Sequence, residues 1–143
     1  MPPTWIRENP PYWDGAKSRI VGGVPAGTFR LGPFRPGDPL PGDWWRVEED
    51  GTVLAYGWMD RSWGEGEVLL AVDPKARNRG LGAYILDRLE AEARREGLNY
   101  IHNQVEPLHP DRAGVTRWLM AHGFADAGDG RLKRRVKAAE GMR

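Results

Sequence analysis

Alternating hydrophobic and polar residues predict a hairpin in the first half of the chain. The alternation covers residues 44–49 and 52–58, and the Asp50-Gly51 pair between them is typical of a two-residue turn. Residues 67–72 are almost all apolar, as in a strand that is buried on both faces. We therefore predict an antiparallel hairpin next to a central strand, with residues 59–66 as the loop that joins them.

Helical periodicity replaces this alternation further along the chain. Apolar residues recur on one face of a predicted helix over residues 83–96, and Gly97-Leu98 is typical of a left-handed C-terminal cap. A second helix is predicted around residues 115–119, where Gly123-Phe124 gives the same end signal, and a short helix is predicted within residues 12–21. The amphipathic helix over residues 83–96 is expected to pack on the sheet.

Three further segments complete the predicted order of elements. Residues 100–105 form a strand, and residues 124–136 form a closing hairpin. Residues 25–43 carry so many prolines and glycines that neither a helix nor a strand can run far, and a loop of this length is usually functional or a linker. The order predicts an α/β (α+β) fold with a mixed, mostly antiparallel twisted sheet flanked by helices, in a single domain of residues 1–143.

The composition limits the chemistry that the chain can perform. It has 143 residues and no cysteine, which excludes disulfides, thiolate nucleophiles and zinc-thiolate sites, and its three histidines lack metal-ligand spacing. The net charge of +1 argues against nucleic-acid binding, and the basic run 131–137 is interpreted as a solvated strand. No hydrophobic run is long enough to span a membrane. We expect a cytoplasmic protein without a metal, nucleic-acid or membrane partner.

A glycine-rich turn links the central strand to the amphipathic helix. The first amides of a helix that follows such a turn point at one spot and favour an anion there. Gly80 and Gly82 would let the backbone approach a ligand closely, and Arg77 and Arg79 would add positive charge for phosphate oxygens. A triphosphatase loop requires Gly-Lys-Ser/Thr, and a dinucleotide loop requires a third glycine where Ile85 stands. Neither pattern applies, and a diphosphate of another kind is expected.

The same turn resembles a family signature. The run Arg77-Asn78-Arg79-Gly80-Leu81-Gly82 matches the pattern (Gln/Arg)-x-x-Gly-x-(Gly/Ala) of the GNAT superfamily of N-acetyltransferases. The preceding "AVDP" resembles the end of that family's cofactor-binding strand, and "VTRWLMAHGF" resembles its helix that ends in Gly-Phe. The resemblance covers residues 44–136 as a cofactor-binding core. Residues 1–43 would be a variable region that helps to shape the acceptor site.

The resemblance implies an acetyl-CoA-dependent N-acetyltransferase. Acetyl-CoA or another short acyl-CoA would be the co-substrate, and the acceptor would be a primary amine, either a small molecule or a protein lysine or N-terminus. Because no cysteine exists to carry the acyl group, the amine would attack directly in a ternary complex. The alternative is a non-catalytic acyl-CoA-binding or regulatory module. Pairing of two copies into a homodimer is a further expectation.

The resemblance also implies which residues hold the cofactor. The backbone of Leu70, Ala71 and Val72 would pair with the pantetheine arm like an added strand, and Val72 would also supply the oxyanion contact. The pyrophosphate would contact the loop and the first helical turn, which comprise Arg77, Asn78, Arg79, Gly80, Leu81, Gly82 and Ala83.

At two positions where the family carries catalytic groups, this sequence has residues that cannot perform the same chemistry. Leu119 stands where a tyrosine commonly protonates the leaving thiolate, and Gln104 stands where a glutamate is usual. His122, just before Gly123, is interpreted as a helix cap. The replacement bases that we consider are Glu67 and Glu65 at the start of the cofactor-binding strand, His109 in the loop before the second helix, and His102.

Overall fold

The described part of the chain, residues 2–22, 33–107 and 109–137 of the computed structural model, forms a seven-stranded sheet with helices on both faces. The strands are β1 (Thr4–Glu8), β2 (Asp43–Glu49), β3 (Thr52–Ser62), β4 (Glu65–Val72), β5 (Tyr100–Asn103), β6 (Ala125–Asp126) and β7 (Leu132–Arg135), and the helices are α1 (Gly15–Ile20), α2 (Leu81–Arg95) and α3 (Arg112–Ala121). The strand order is β1-β2-β3-β4-β5-β7-β6, and each neighbouring pair is antiparallel except β4 and β5. The predicted mixed, mostly antiparallel sheet with a central apolar strand is confirmed.

Left-handed residues end the elements where the sequence predicts. Asp50 and Gly51 have φ angles of 53° and 78° and turn β2 into β3. Gly97 follows α2 with a φ of 75°, and Gly123 follows α3 with a φ of 89°. In both cases the N–H of the next residue donates to a carbonyl of the last helical turn, at 3.0 and 3.1 Å. These caps satisfy carbonyls that the helix itself leaves unpaired.

Two features of the sheet differ from the sequence prediction. The predicted loop over residues 59–66 is wrong, because β3 and β4 run through it and only Trp63-Gly64 turns, with φ angles of 54° and 77°. Tryptophan rarely adopts a positive φ, so this pair gives no recognisable turn signal. Residues 4–8, for which no element is predicted, form β1. Their partner β2 lies far along the chain, where a local sequence pattern does not reveal it.

The sheet separates two hydrophobic clusters. On one face, Ile85 and Leu89 of α2 are completely buried and belong to the same cluster as Val68 of β4. On the other face, Ile20 of α1 is completely buried and belongs to a cluster with Leu69 of β4. Adjacent residues of a strand point to opposite faces, so β4 contributes to both clusters. We call these two sides the α2 face and the α1 face.

A buried lysine holds helix α1 to the sheet. Asp14 caps the helix by accepting the Lys17 N–H at 2.9 Å. The Lys17 side chain is fully buried, and its ammonium lies 2.5 Å from the Glu8 carboxylate on β1. The same ammonium stands over the rings of Trp44 and Tyr56, at 5.5 and 4.8 Å from their centroids. Opposite charges and two aromatic rings therefore fix the helix against β1, β2 and β3.

Two tryptophans attach the proline-rich segment to the same face. Within the predicted irregular segment 25–43, residues 25–32 lie outside the described residues. The indole N–H groups of Trp44 and Trp58 both donate to the Pro41 carbonyl, each at 3.1 Å. Gly42 has a φ of 76°, and a Cβ at this position would lie 2.4 Å from the Trp58 indole nitrogen. Only glycine permits this close approach of the segment to the sheet.

Candidate active site

Strands β4 and β5 pair over three residues and then separate. Their parallel register joins residues 65–67 to residues 100–102. β5 ends at Asn103, two residues before its predicted end, and Asn103 Nδ2 donates to the Val68 carbonyl at 2.8 Å. Beyond this hydrogen bond the strands leave a cleft of about 850 Å³, which α2 and α3 border. We call the separated strands the fork and the Asn103–Val68 hydrogen bond its apex.

The main chain of β4 turns alternate residues toward the cleft. The Asp73 N–H donates to the Leu54 carbonyl of β3 at 2.8 Å, so the antiparallel register directs the polar groups of Ala71 toward β3. The polar groups of Leu70 and Val72 consequently point away from β3 and into the cleft. The pantetheine contacts predicted for Leu70 and Val72 are compatible with this direction. The contact predicted for the Ala71 backbone is not, because β3 occupies its hydrogen-bonding groups.

Helix α2 begins at the mouth of the fork without a side chain that caps it. Its N-cap residue, Gly80, has a φ of 76° and makes no side-chain hydrogen bond. The amides of Leu81, Gly82 and Ala83, which border the cleft, therefore find no acceptor within the helix. A Cβ on Gly82 would lie 2.8 Å from the Trp118 ring, and a Cβ on Gly80 would meet no atom within 4 Å. Open space before free amides fits an anionic group such as a pyrophosphate.

The two arginines of the glycine-rich turn have different surroundings. Arg77 and Asn78, which are predicted to contact the pyrophosphate, line the cleft. Arg79 instead forms a salt bridge with Glu49 at the end of β2, with a distance of 2.6 Å between Nη2 and Oε2. The predicted phosphate contact of Arg79 therefore competes with an existing carboxylate partner. That partner is contributed by a strand thirty positions earlier, which the turn sequence alone does not indicate.

A carboxylate and an imidazole lie side by side next to the apex. Glu67 and His102 are register partners in β4 and β5, so their side chains lie together on the α1 face. Burial lowers the pKa of His102, and the Arg131 charge lowers it further, whereas Glu67 and Glu65 oppose the shift. The imidazole is therefore uncharged at neutral pH and does not offset the carboxylate charge of Glu67.

The other two predicted bases, Glu65 and His109, each have polar neighbours. Glu65 lies 2.9 Å from Lys133 Nζ and 3.6 Å from Arg131 Nη1, so two cations compete with an amine for its carboxylate. His109 lines the cleft, and its Nδ1 accepts the Asp111 N–H at 2.9 Å. A neutral ring with Nδ1 as acceptor carries its proton on Nε2. His109 thus offers a donor in the cleft.

Leu119 occupies the position on α3 at which the resemblance implies a tyrosine. Leu119 is 4% exposed and packs in the cluster of the α2 face. His122 is the C-cap residue of α3, and its Nδ1 lies 2.8 Å from the Trp118 carbonyl, in agreement with the predicted capping role. Within residues 2–22, 33–107 and 109–137, no three potential ligands are grouped for a metal ion. The helices of these residues are also too short or too polar to cross a membrane.

The fork and the uncapped helix at its mouth lie within a segment of the chain that matches a known family. The sequence matches the family described as "Acetyltransferase (GNAT) family" over residues 5–124. The chain therefore belongs to the GNAT acetyltransferase family, and the resemblance found in its glycine-rich turn is confirmed. A comparison with curated proteins found no match.

Solved structures with the same fold include proteins described as N-acetyltransferases. YhhK from E. coli bound to coenzyme A is 19% identical and aligns with a TM-score of 0.68 over 94% of this chain and 99% of its own. An N-acetyltransferase from Staphylococcus aureus Mu50 is 21% identical, with a TM-score of 0.55 over 67% of this chain and 68% of its own. The ribosomal-protein-S18-alanine N-acetyltransferase from Escherichia coli is 20% identical, with a TM-score of 0.53 over 70% and 73%. At these identities the similarity establishes the fold.

Proposed function

We propose that this protein transfers an acetyl group from acetyl-CoA to a primary amine by direct attack in a ternary complex. The observation that carries the proposal is the fork, where polar main-chain groups of Leu70 and Val72 point into a cleft that ends at the free amides of α2. Coenzyme A has an extended pantetheine arm that contains amides, and a diphosphate at one end of that arm. The arm matches the main-chain groups of β4, and the diphosphate matches the amides of α2. Coenzyme A bound to the similarly folded YhhK supports the same assignment.

The residues at the apex provide the chemistry that amide formation requires. A primary amine is largely protonated at neutral pH, and Glu67 would remove that proton on the α1 face. The amine nitrogen then bonds to the acetyl carbon, and an N–H of β4 stabilises the oxyanion. As the carbon–sulfur bond breaks, the nitrogen releases its second proton to solvent and becomes a neutral amide. The thiolate leaves and takes a proton from solvent, because Leu119 offers none and the moderate pKa of a thiol permits this departure.

Acetyl transfer can be tested separately from cofactor binding. Acetyl-CoA is titrated into the protein, and a panel of small amines and lysine peptides is then screened for release of free thiol and for a mass gain of about 42 dalton on the acceptor. Binding with transfer to an amine supports the proposal. Binding without transfer to any amine would identify a non-catalytic acyl-CoA-binding module instead, and absence of binding would remove coenzyme A from the assignment.

Arg77→Gln is expected to weaken coenzyme A binding by roughly 10- to 100-fold, the value of one charged contact to a phosphate. Arg77 lines the cleft, whereas Arg79 is held by Glu49. Arg79→Gln is therefore the matched control, with an expected change below about threefold. Isothermal titration calorimetry with both variants measures the difference. Equal losses in the two variants would show that Arg79 leaves Glu49 to bind the phosphates.

Proline substitutions in β4 test whether main-chain N–H groups serve the reaction. Leu70→Pro and Val72→Pro each remove an N–H that points into the cleft and leave the pairing with β3 intact. The variant that loses the oxyanion donor should show kcat lowered by roughly 10²- to 10³-fold. Leu70→Ala and Val72→Ala retain the N–H groups and serve as controls. If both proline variants fold and retain full kcat, neither amide stabilises the oxyanion.

A further inference from the structure

The Val68 carbonyl has an unusual partner for a strand inside a sheet. Gly66 pairs with Ile101 in the parallel register of β4 and β5. If this pairing continued by one step, the Val68 carbonyl would accept the backbone N–H of Gln104. It accepts the side-chain amide of Asn103 instead, at 2.8 Å. Among the described residues, no hydrogen bond from the Gln104 N–H is present, and Gln104 is exposed.

The side chain of Asn103 therefore takes the place of a main-chain donor. Val68 is 2% exposed, so its carbonyl would be costly to leave without a partner. With Nδ2 in that role, the Gln104 N–H is released and β5 is free to turn away from β4. We infer that Asn103 is the positioning residue that keeps the fork open, because it satisfies the carbonyl that would otherwise draw the two strands together.

The chemistry of this position restricts which residues can perform the task. The group that faces the Val68 carbonyl must donate a hydrogen bond and must reach back across the apex from β5. An ionised aspartate has the same shape as asparagine but only accepts, so it would face the carbonyl with like partial charge. Alanine lacks any donor. Both substitutions should favour the alternative donor, the Gln104 N–H, and thereby extend the pairing of β4 and β5 by one step.

Amide hydrogen exchange of the protein without cofactor tests this inference directly. The Gln104 N–H should exchange rapidly in the unsubstituted protein and become at least about tenfold slower in Asn103→Ala and in Asn103→Asp, since it becomes part of the sheet. Exchange of Gln104 at an unchanged rate in a folded variant would overturn the inference. Two variants are used because either substitution alone could impair folding. The exchange measurement involves no acyl-CoA, so its outcome is independent of the proposed function.

A second substitution provides the matched control and a functional measurement that rests on the proposed function. Gln104→Pro removes the competing N–H, and proline favours the extended conformation that Asn103 already has in β5. Asn103→Ala should weaken coenzyme A binding by roughly tenfold because pairing at the apex shortens the fork, and Asn103→Ala/Gln104→Pro should restore most of the affinity. Gln104→Pro alone should bind coenzyme A like the unsubstituted protein. A double variant that binds no better than Asn103→Ala would contradict the inference.

Discussion

Replacing Glu67 with glutamine is expected to lower kcat by roughly 10²- to 10⁴-fold, the usual contribution of a general base. Glu67 lies at the apex of the fork on the α1 face, beside His102. Burial lowers the pKa of that imidazole, so it carries no charge near neutral pH and does not repel a protonated amine that approaches Glu67. Glutamine preserves the size and polarity of the side chain but cannot accept the proton.

Initial rates as a function of pH measure this effect, and Glu65→Gln is the control. Glu65 is on the same face of β4 but is bound to Lys133 and Arg131, so its loss should change kcat far less. Coenzyme A affinity should be unaffected in both variants, because neither carboxylate borders the cofactor cleft. In the unsubstituted protein the KM for the amine should rise as pH falls through the lowered pKa of His102, which then places a positive charge beside Glu67. Full turnover of Glu67→Gln at every pH would exclude this residue as the base.

Replacing Lys17 with methionine is expected to lower the free energy of unfolding by about 3–5 kcal/mol. Methionine fills a similar volume, so the loss comes from electrostatics. The Glu8 side chain is only 8% exposed, and without the ammonium 2.5 Å away the cation that remains beside it among the described residues is Arg46, at 3.5 Å. A buried carboxylate that has lost its closest partner is strongly unfavourable. Urea denaturation followed by tryptophan fluorescence provides the measurement.

Two further variants separate the buried charge from other effects of the lysine. Glu8→Gln/Lys17→Met removes both charges and should recover a substantial part of the lost stability, because no unpaired carboxylate remains. Arg95→Met breaks the ion pair with Glu92, in which the arginine side chain is 72% exposed, and should cost less than about 1 kcal/mol. If Lys17→Met proves as stable as Arg95→Met, the ion pair with Glu8 does not hold α1 to the sheet.

Local signals in the sequence predict much of the fold. The Asp50-Gly51 turn, the apolar strand over residues 67–72 and the glycine that follows each long helix all depend on neighbours along the chain, and all are confirmed. Strand β1 is missed because it pairs with β2, which is distant in sequence. The Trp63-Gly64 turn is missed because nothing in the chemistry of tryptophan favours the conformation that it adopts.

The same distinction between local and long-range contacts applies to the candidate site. The glycine-rich turn and the helix after it predict the end of the cleft that we propose to bind an anion, because residues adjacent in sequence form that end. The separation of β4 from β5 depends on Asn103 reaching Val68, and the pairing of Arg79 with Glu49 depends on a neighbouring strand. Which residues of β4 face the cleft also depends on register with β3. These contacts are set by tertiary structure, and sequence patterns within one segment carry no trace of them.

Two indole N–H groups donate to the Pro41 carbonyl, so the attachment of this carbonyl to the α1 face is redundant. Trp44 and Trp58 are register partners on β2 and β3, and either one alone would still hold the carbonyl after the other is replaced by phenylalanine. The attachment is lost only when both indoles are gone, so the two positions are epistatic. During evolution, one of the two tryptophans can therefore be replaced without loss of this attachment. The effect of the first replacement on the attachment appears only when the second tryptophan is replaced as well.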